Sequence, residues 1–235
     1  MTNSKYQNLT AVLVHAAWAD GSSWDKVTPR LQELGMRVRS AQVPLSSLSE
    51  DVAALKRLLR QVDGPVVLVG HSYAGAVITA AGADNPEVKV LVYIAAIAPD
   101  EGETVGDLFH RAEPNPNTRP QLAPDADGFL WVPGGGFADA IAPNASKEET
   151  TLMQANQHPI ALKCLSEPMT WPAWKQKPSW FLVAEKDRMI SPAMQHFMAE
   201  RIKARVHSRN TDHTPLACEP ESVVRVIIEA ADAVV

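Results

Sequence analysis

The stretch Val66-Val67-Leu68-Val69-Gly70-His71-Ser72-Tyr73-Ala74-Gly75 decides how this sequence reads. Four consecutive apolar residues run into Gly-x-Ser-x-Ala and then into a tract containing Ala76, Ala80 and Ala81. An apolar run of that length bounded by glycine fits a strand covered on both faces. The small residues behind it fit a helix that starts close against the strand. A serine on such a strand-to-helix turn is held in a strained conformation that lifts its hydroxyl clear of the sheet. Strand and helix pass so close there that small residues are needed two positions before and after it. Ser72 is therefore a candidate nucleophile. The usual pattern is Gly-x-Ser-x-Gly, so Ala74 departs from it by one methyl, and Gly75 keeps the helix start slim.

Further strand candidates flank this one on both sides. They are Ala11–Val14, Arg37–Val43, Val88–Ala95, Trp180–Ala184 and a weaker run at Arg205–Ser208. Helical patterns lie between them. Ser47-x-x-Glu50 reads as a capping box ahead of Val52, Leu55, Leu59 and Val62, which share one face. Trp24, Val27, Leu31 and Leu34 form a second stripe, stopped by Gly35. Ser191-Pro192 is a helix start, and a last helix spans about Glu221 to Ala233. Alternating strands and helices predict an α/β fold, a doubly wound and mainly parallel sheet of about six strands. Residues 99–178 break the rhythm, with 11 of the 18 prolines, the run Gly134-Gly135-Gly136 and three of the six tryptophans. No strand is expected there, and the best helical pattern spans Lys147 to Leu165. The expected organisation is a core of residues 1–98 and 179–235 with 99–178 inserted as a mostly helical lid.

Composition removes several function classes. The 235 residues are 46% hydrophobic and 21% charged, ordinary for a globular chain. A net charge of -5 with no basic stripe argues against nucleic-acid binding. The longest apolar run, Val90 to Ala98, is far too short to span a membrane. Residues Met1 to Thr10 are polar without an apolar signal core, which predicts a cytoplasmic protein. Cys164 and Cys218 cannot alone build a disulfide framework or a closed zinc site. No metal-ligand spacing or phosphate loop occurs, so no cofactor or metal is expected. A small-molecule substrate is the expected partner, and a homodimer is open.

A serine alcohol needs a base to take its proton and a third group to orient the base. The expected base lies in a loop after the last strand, where Asp212-His213-Thr214-Pro215 occurs, so His213 is the candidate. The acid is expected after another strand. Phe181–Ala184 runs into Glu185-Lys186-Asp187, and Asp187 is preferred to Glu185, which is too close to the strand. Asp100 is the main competitor. The order Ser72, Asp187, His213 matches nucleophile, acid and base on this kind of sheet. Oxyanion donors are expected from the amides of Tyr73, after the nucleophile, and Ala17, after the first strand. Ala16, Trp18, Trp131, Met153 and His158 are candidate pocket residues, with Phe129 and Trp171 as further aromatic candidates. His71 is expected to pack behind the turn, and Cys218 under the last helix.

Together these residues resemble the α/β-hydrolase fold. More narrowly, they resemble small bacterial esterases related to plant methyl-ester esterases and hydroxynitrile lyases. The likeness is close at Val12–Ala17, Val67–Gly75, Glu185–Ser191 and Thr211–Pro220. It implies a triad of Ser72, Asp187 and His213. The departures are Ala16 where the esterases usually carry glycine, Ala19 where histidine is common, and Ala74. The lyase branch has a lysine directly after the base and a threonine in the oxyanion loop. Here those positions hold Thr214 and Ala16, which favours ester hydrolysis. The expected activity is a cofactor-free serine hydrolase for a small to medium carboxylic ester, lactone or thioester. The rivals are a non-catalytic ligand-binding protein on the same fold, and lyase or cofactor-free dioxygenase chemistry.

Overall fold

A computed structural model describes residues 5–111 and 122–235; part of the 99–178 stretch, 112–121, lies outside the described residues. Strand β1 (Thr10–Val14) is followed by helix α1 (Thr28–Glu33), β2 (Arg37–Ala41) and α2 (Leu48–Leu59). Next come β3 (Val66–His71), α3 (Ala74–Ala81), β4 (Val88–Ile94) and α4 (Val105–Arg111). Then follow β5 (Phe129–Leu130), α5 (Lys147–Ala155), β6 (Ile160–Ala161) and α6 (Leu162–Ser166). The chain ends with β7 (Ser179–Ala184), α7 (Pro192–Arg201), β8 (Arg205–Arg209), α8 (Pro215–Cys218) and α9 (Pro220–Asp232).

Six strands form one sheet in the order β2-β1-β3-β4-β7-β8, every pairing parallel. Successive strand residues point to opposite faces. Val66 and Leu68 enter one core with α2, α3 and α7, while Val67 and Val69 enter another with α1 and α9. Two covered faces explain why the central strands are apolar throughout. The outer strands β2 and β8 are largely exposed and carry Arg37, Arg39, Arg205 and Arg209, the charged composition of sheet edges. From β1 the sheet grows one way to β2 and the other way to β3. That reversal leaves a crevice at the carboxyl ends of β1 and β3, where ligands bind in open parallel sheets.

Several local expectations change. Ser47 caps α2 by accepting the Glu50 amide at 3.1 Å, but Glu50 turns to the Ser46 hydroxyl instead of closing a reciprocal box. The reciprocal box occurs at Ser146 and Glu149, heading α5. In the first helical stripe Trp24, Val27 and Leu31 are buried, whereas Leu34 is 44% exposed because α1 ends at Glu33 and the chain turns at Gly35. The helix expected over Lys147 to Leu165 is broken: α5 ends at Ala155, with Asn156 closing it. Pro159 cannot continue a helix, and Ile160–Ala161 instead pairs antiparallel with Phe129–Leu130. Residues 99–178 thus do contain strands, a two-stranded pair of four residues, where none was expected. They also carry a small core of Val132, Phe137, Ala140, Ile141 and Ala142, completed by Met189 from the main body. Among the described residues no helix is long and apolar enough to cross a membrane.

Candidate active site

Backbone strain gathers on one edge of the sheet. Trp18 (φ 58°), Leu45 (φ 55°), Ser72 (φ 55°) and Ala95 (φ 44°) are left-handed non-glycine residues, and each lies just beyond the carboxyl end of one of the first four strands. Such conformations cost about 1–3 kcal/mol each and persist where surrounding contacts hold them. At Ser72 those contacts are explicit. Its amide donates to Ile94 O at 3.1 Å, and its carbonyl accepts from Gly75 N and Ile97 N, both at 3.0 Å.

The turn presents the Ser72 hydroxyl to the loop between β8 and α8. Ser72 Oγ lies 2.8 Å from His213 Nε2, and His213 Nδ1 lies 2.6 Å from Asp187 Oδ2. All three side chains are buried. Asp187 Oδ1 accepts the amides of Met189 and Ile190 at 2.7 and 2.9 Å, and Oδ2 also accepts Gln195 Nε2 at 2.8 Å. With both oxygens occupied by donors, the carboxylate is fixed in orientation. The competitor Asp100 pairs instead with Lys175 at 2.9 Å on a partly exposed surface. Glu185 binds His196 at 2.9 Å.

The two amides expected as oxyanion donors are left without an acceptor: neither Tyr73 N nor Ala17 N donates to any group among the described residues. The loop carrying Ala17 is braced by His15, which is fully buried: Val43 N–H donates to its Nε2 at 3.1 Å, so its Nδ1–H donates to Ala16 O at 2.9 Å. Burial keeps the His15 pKa below its ordinary value. His71 packs behind the turn as expected and also reaches the base loop, donating from Nε2 to His213 O at 2.7 Å. Burial, then the proximity of His213, pushes its pKa down to about 3, so it stays neutral.

A cavity of about 380 Å³ opens beside His213. Its walls include Ala16, Ala17 and Trp18 from the loop after β1, and Phe137, Ile141 and Met153 from the 99–178 segment. Lys26 and Glu149 pair across it at 2.5 Å, and Trp18 Nε1 donates to Leu130 O at 2.9 Å, so both contacts join that segment to the main body. Of the expected pocket residues, Ala16, Trp18 and Met153 line this cavity. Trp131 does not: it is 45% exposed and its indole N–H donates outward to Asp125 at 2.9 Å. His158 lines a separate groove with Gln42, Val43 and Arg57. Trp171 is 54% exposed, and Phe129 packs half-buried against the main core, outside the cavity wall. Cys218 is half-buried against the Asp212 carboxylate at 3.7 Å.

Sequence reasoning missed three buried polar residues. Gln195 interrupts the apolar face of α7 formed by Met194, Met198 and Ala199, and that interruption was its signal. Asp51 is fully buried, accepting Tyr73 O–H at 2.6 Å and Leu45 N–H at 2.7 Å, with Cys164 Sγ at 3.7 Å. Burial pushes its pKa up to about 6. His15 had no signal beyond its place after β1. Among the described residues no group of three His, Cys, Asp or Glu side chains could hold a metal ion.

Sheet order, serine turn and relatives agree on the class. The chain belongs to the alpha/beta hydrolase family, whose profile matches residues 11–226. It is similar to Methylesterase 1 of Arabidopsis thaliana, 23% identical over 251 aligned positions that cover 94% of this chain and 95% of the relative. A carbendazim hydrolyzing esterase of Nocardioides sp. (strain SG-4G) is 34% identical over 117 positions, 44% of this chain and 48% of the relative. Among solved structures, a pyrethroid hydrolase from Sphingobium faniae JZ-2 superposes with a TM-score of 0.84 at 21% identity, covering 96% of this chain and 98% of that one.

Proposed function

We propose that the protein is a carboxylic-ester hydrolase in which Ser72 is the nucleophile, His213 the base and Asp187 the group that orients it. The supporting observation is the unbroken relay from Ser72 Oγ through His213 to Asp187, at 2.8 and 2.6 Å. Ser72 Oγ attacks the ester carbonyl as His213 Nε2 takes its proton. The resulting oxyanion receives the free amides of Tyr73 and Ala17. His213 then gives the proton to the departing alcohol, leaving an acyl group on Ser72. Water attacks that acyl group, losing its proton to His213, and the carboxylic acid leaves as Ser72 regains its hydrogen. Asp187 holds the Nδ1–H tautomer throughout and stabilises the imidazolium that forms twice in the cycle.

The 99–178 segment acts as a cap on this site, and its Phe137, Ile141 and Met153 set which ester fits. A cavity of this size with mainly apolar walls suits a small to medium ester. The relatives named as esterases support the same reaction class. The test is Ser72→Ala on purified protein. Turnover of a p-nitrophenyl ester should fall by about 10⁴-fold or more, labelling by a fluorophosphonate should vanish, and the melting temperature should hold. Near-parental turnover in that variant would refute the assignment.

A further inference from the structure

We infer that Asp212 is a positioning residue through which one wall of the substrate cavity is tied to the base; the inference rests on the roles proposed above for Ser72 and His213. Asp212 directly precedes His213 and is fully buried. Its Oδ1 accepts both the amide and the hydroxyl of Thr214 at 2.9 Å, which closes a side-chain turn with His213 at its apex. Its Oδ2 accepts the Asn144 amide at 2.8 Å. Cys218 Sγ flanks the two oxygens at 3.7 and 3.8 Å.

Asn144 lies between two elements of the cavity wall. Before it is the turn Phe137–Ile141, which supplies Phe137 and Ile141. After it is α5, which supplies Glu149, Leu152 and Met153. One carboxylate therefore shapes the loop that aims the imidazole with one oxygen and fixes the wall with the other. A buried carboxylate losing any of these donors is left undersatisfied, so the two attachments hold each other in place.

The two oxygens have different jobs, and two substitutions separate them. In Asp212→Asn the amide oxygen can keep both Thr214 donors, while the new NH₂ opposes the Asn144 N–H and opens only the wall contact. Asp212→Ala removes both. Rates are read per site titrated with a fluorophosphonate, using p-nitrophenyl acetate and p-nitrophenyl hexanoate. Asp212→Asn should keep kcat on the acetate within about threefold and raise KM for the hexanoate by about tenfold. Asp212→Ala should lower kcat on both esters by about 100-fold, a loss that misplacing a reacting group by an ångström can cause. If Asp212→Ala does not fold, the split between kcat and KM in Asp212→Asn alone decides. Parental kcat and KM per titrated site in Asp212→Asn, with only the melting temperature lowered, would overturn the inference. So would a fall in kcat on both esters as large as that in Asp212→Ala. Failure of the parent protein to be titrated would instead refute the roles of Ser72 and His213.

Discussion

Gly75→Ala tests whether the serine turn is held by close approach at residue 75, one position beyond the small residue of the usual pattern. A Cβ on Gly75 would lie 2.2 Å from Ile97 O, 2.9 Å from Ala96 Cβ and 3.0 Å from Ile97 N. The obstacle is backbone, so no side-chain rotation relieves it. Ile97 N also donates to Ser72 O, so any shift that makes room pulls on the turn itself. Overpacking a dense core costs about 1–3 kcal/mol, and a fixed backbone obstacle puts this site near 3. Alanine's better helix propensity returns about 1 kcal/mol. The net loss of about 2 kcal/mol lowers the melting temperature by about 4–8 °C in a domain of this size. Thermal denaturation and ester turnover well below the transition measure stability and turn geometry separately, and turnover should fall as well. Ala74→Gly restores the usual pattern and should cost about 2 kcal/mol, roughly half from propensity and half from a lost buried methyl, while leaving turnover close to the parent's. Gly75→Ala as stable and active as the parent, or Ala74→Gly losing as much turnover as Gly75→Ala, would refute the reasoning.

Asp187→Asn should lower kcat by about two orders of magnitude or more relative to Asp100→Asn, because only Asp187 touches His213; the reverse ranking in steady-state assays would move the acid to the end of β4. Asp51 should make stability fall as pH rises. Its folded pKa of about 6 exceeds the ordinary 3.8, so between those values the folded state holds a proton that the unfolded state has lost. The difference corresponds to about 3 kcal/mol, present below pH 4 and gone above pH 6. Urea denaturation should therefore find Asp51→Asn gaining on the parent by about that amount between pH 4 and 7, whereas a gap independent of pH would rule the linkage out.

What could be read in advance follows from where each residue's constraints come from. Val66–Val69 and Trp180–Ala184 announce themselves because both faces of the central sheet are covered, so burial is written into consecutive residues. Arg205–Arg209 reads weakly because an edge strand meets solvent and has no reason to be apolar. The geometry between Ser72, Asp187 and His213 was anticipated for a related reason. Each follows a strand, and strand order sets which ends converge. Gln195 and Asp51 were not anticipated as partners of Asp187 and Tyr73. A polar residue on an apolar helix face signals a buried contact but does not name its partner.

The cavity wall had no comparable grammar. Trp131 and Met153 look equally suited to a pocket, yet one faces solvent toward Asp125 and the other lines the cavity. Their placement depends on single tertiary contacts between residues 99–178 and the main body. Trp18 to Leu130, Lys26 to Glu149 and Asn144 to Asp212 are three of them. Each such hydrogen bond contributes about 1 kcal/mol, and none imposes a sequence period. The break at Asn156–Pro159 makes the same point: Leu152, Met153, Ile160, Leu162 and Leu165 mimic one helix, while Pro159 forces a reversal that lets Ile160–Ala161 pair with Phe129–Leu130. That pairing seats Ala161 N against Leu45 O at 2.9 Å, at the strained residue where Asp51 binds the Leu45 amide. Asp51 also accepts the Tyr73 hydroxyl, so the 99–178 segment reaches the residue after Ser72 through that carboxylate, as it reaches His213 through Asp212. Chemistry and fit are thus joined by two buried carboxylates, each of which binds one neighbour close in sequence and one far away. This explains how strand ends could be read from local pattern while the shape of the cavity could not.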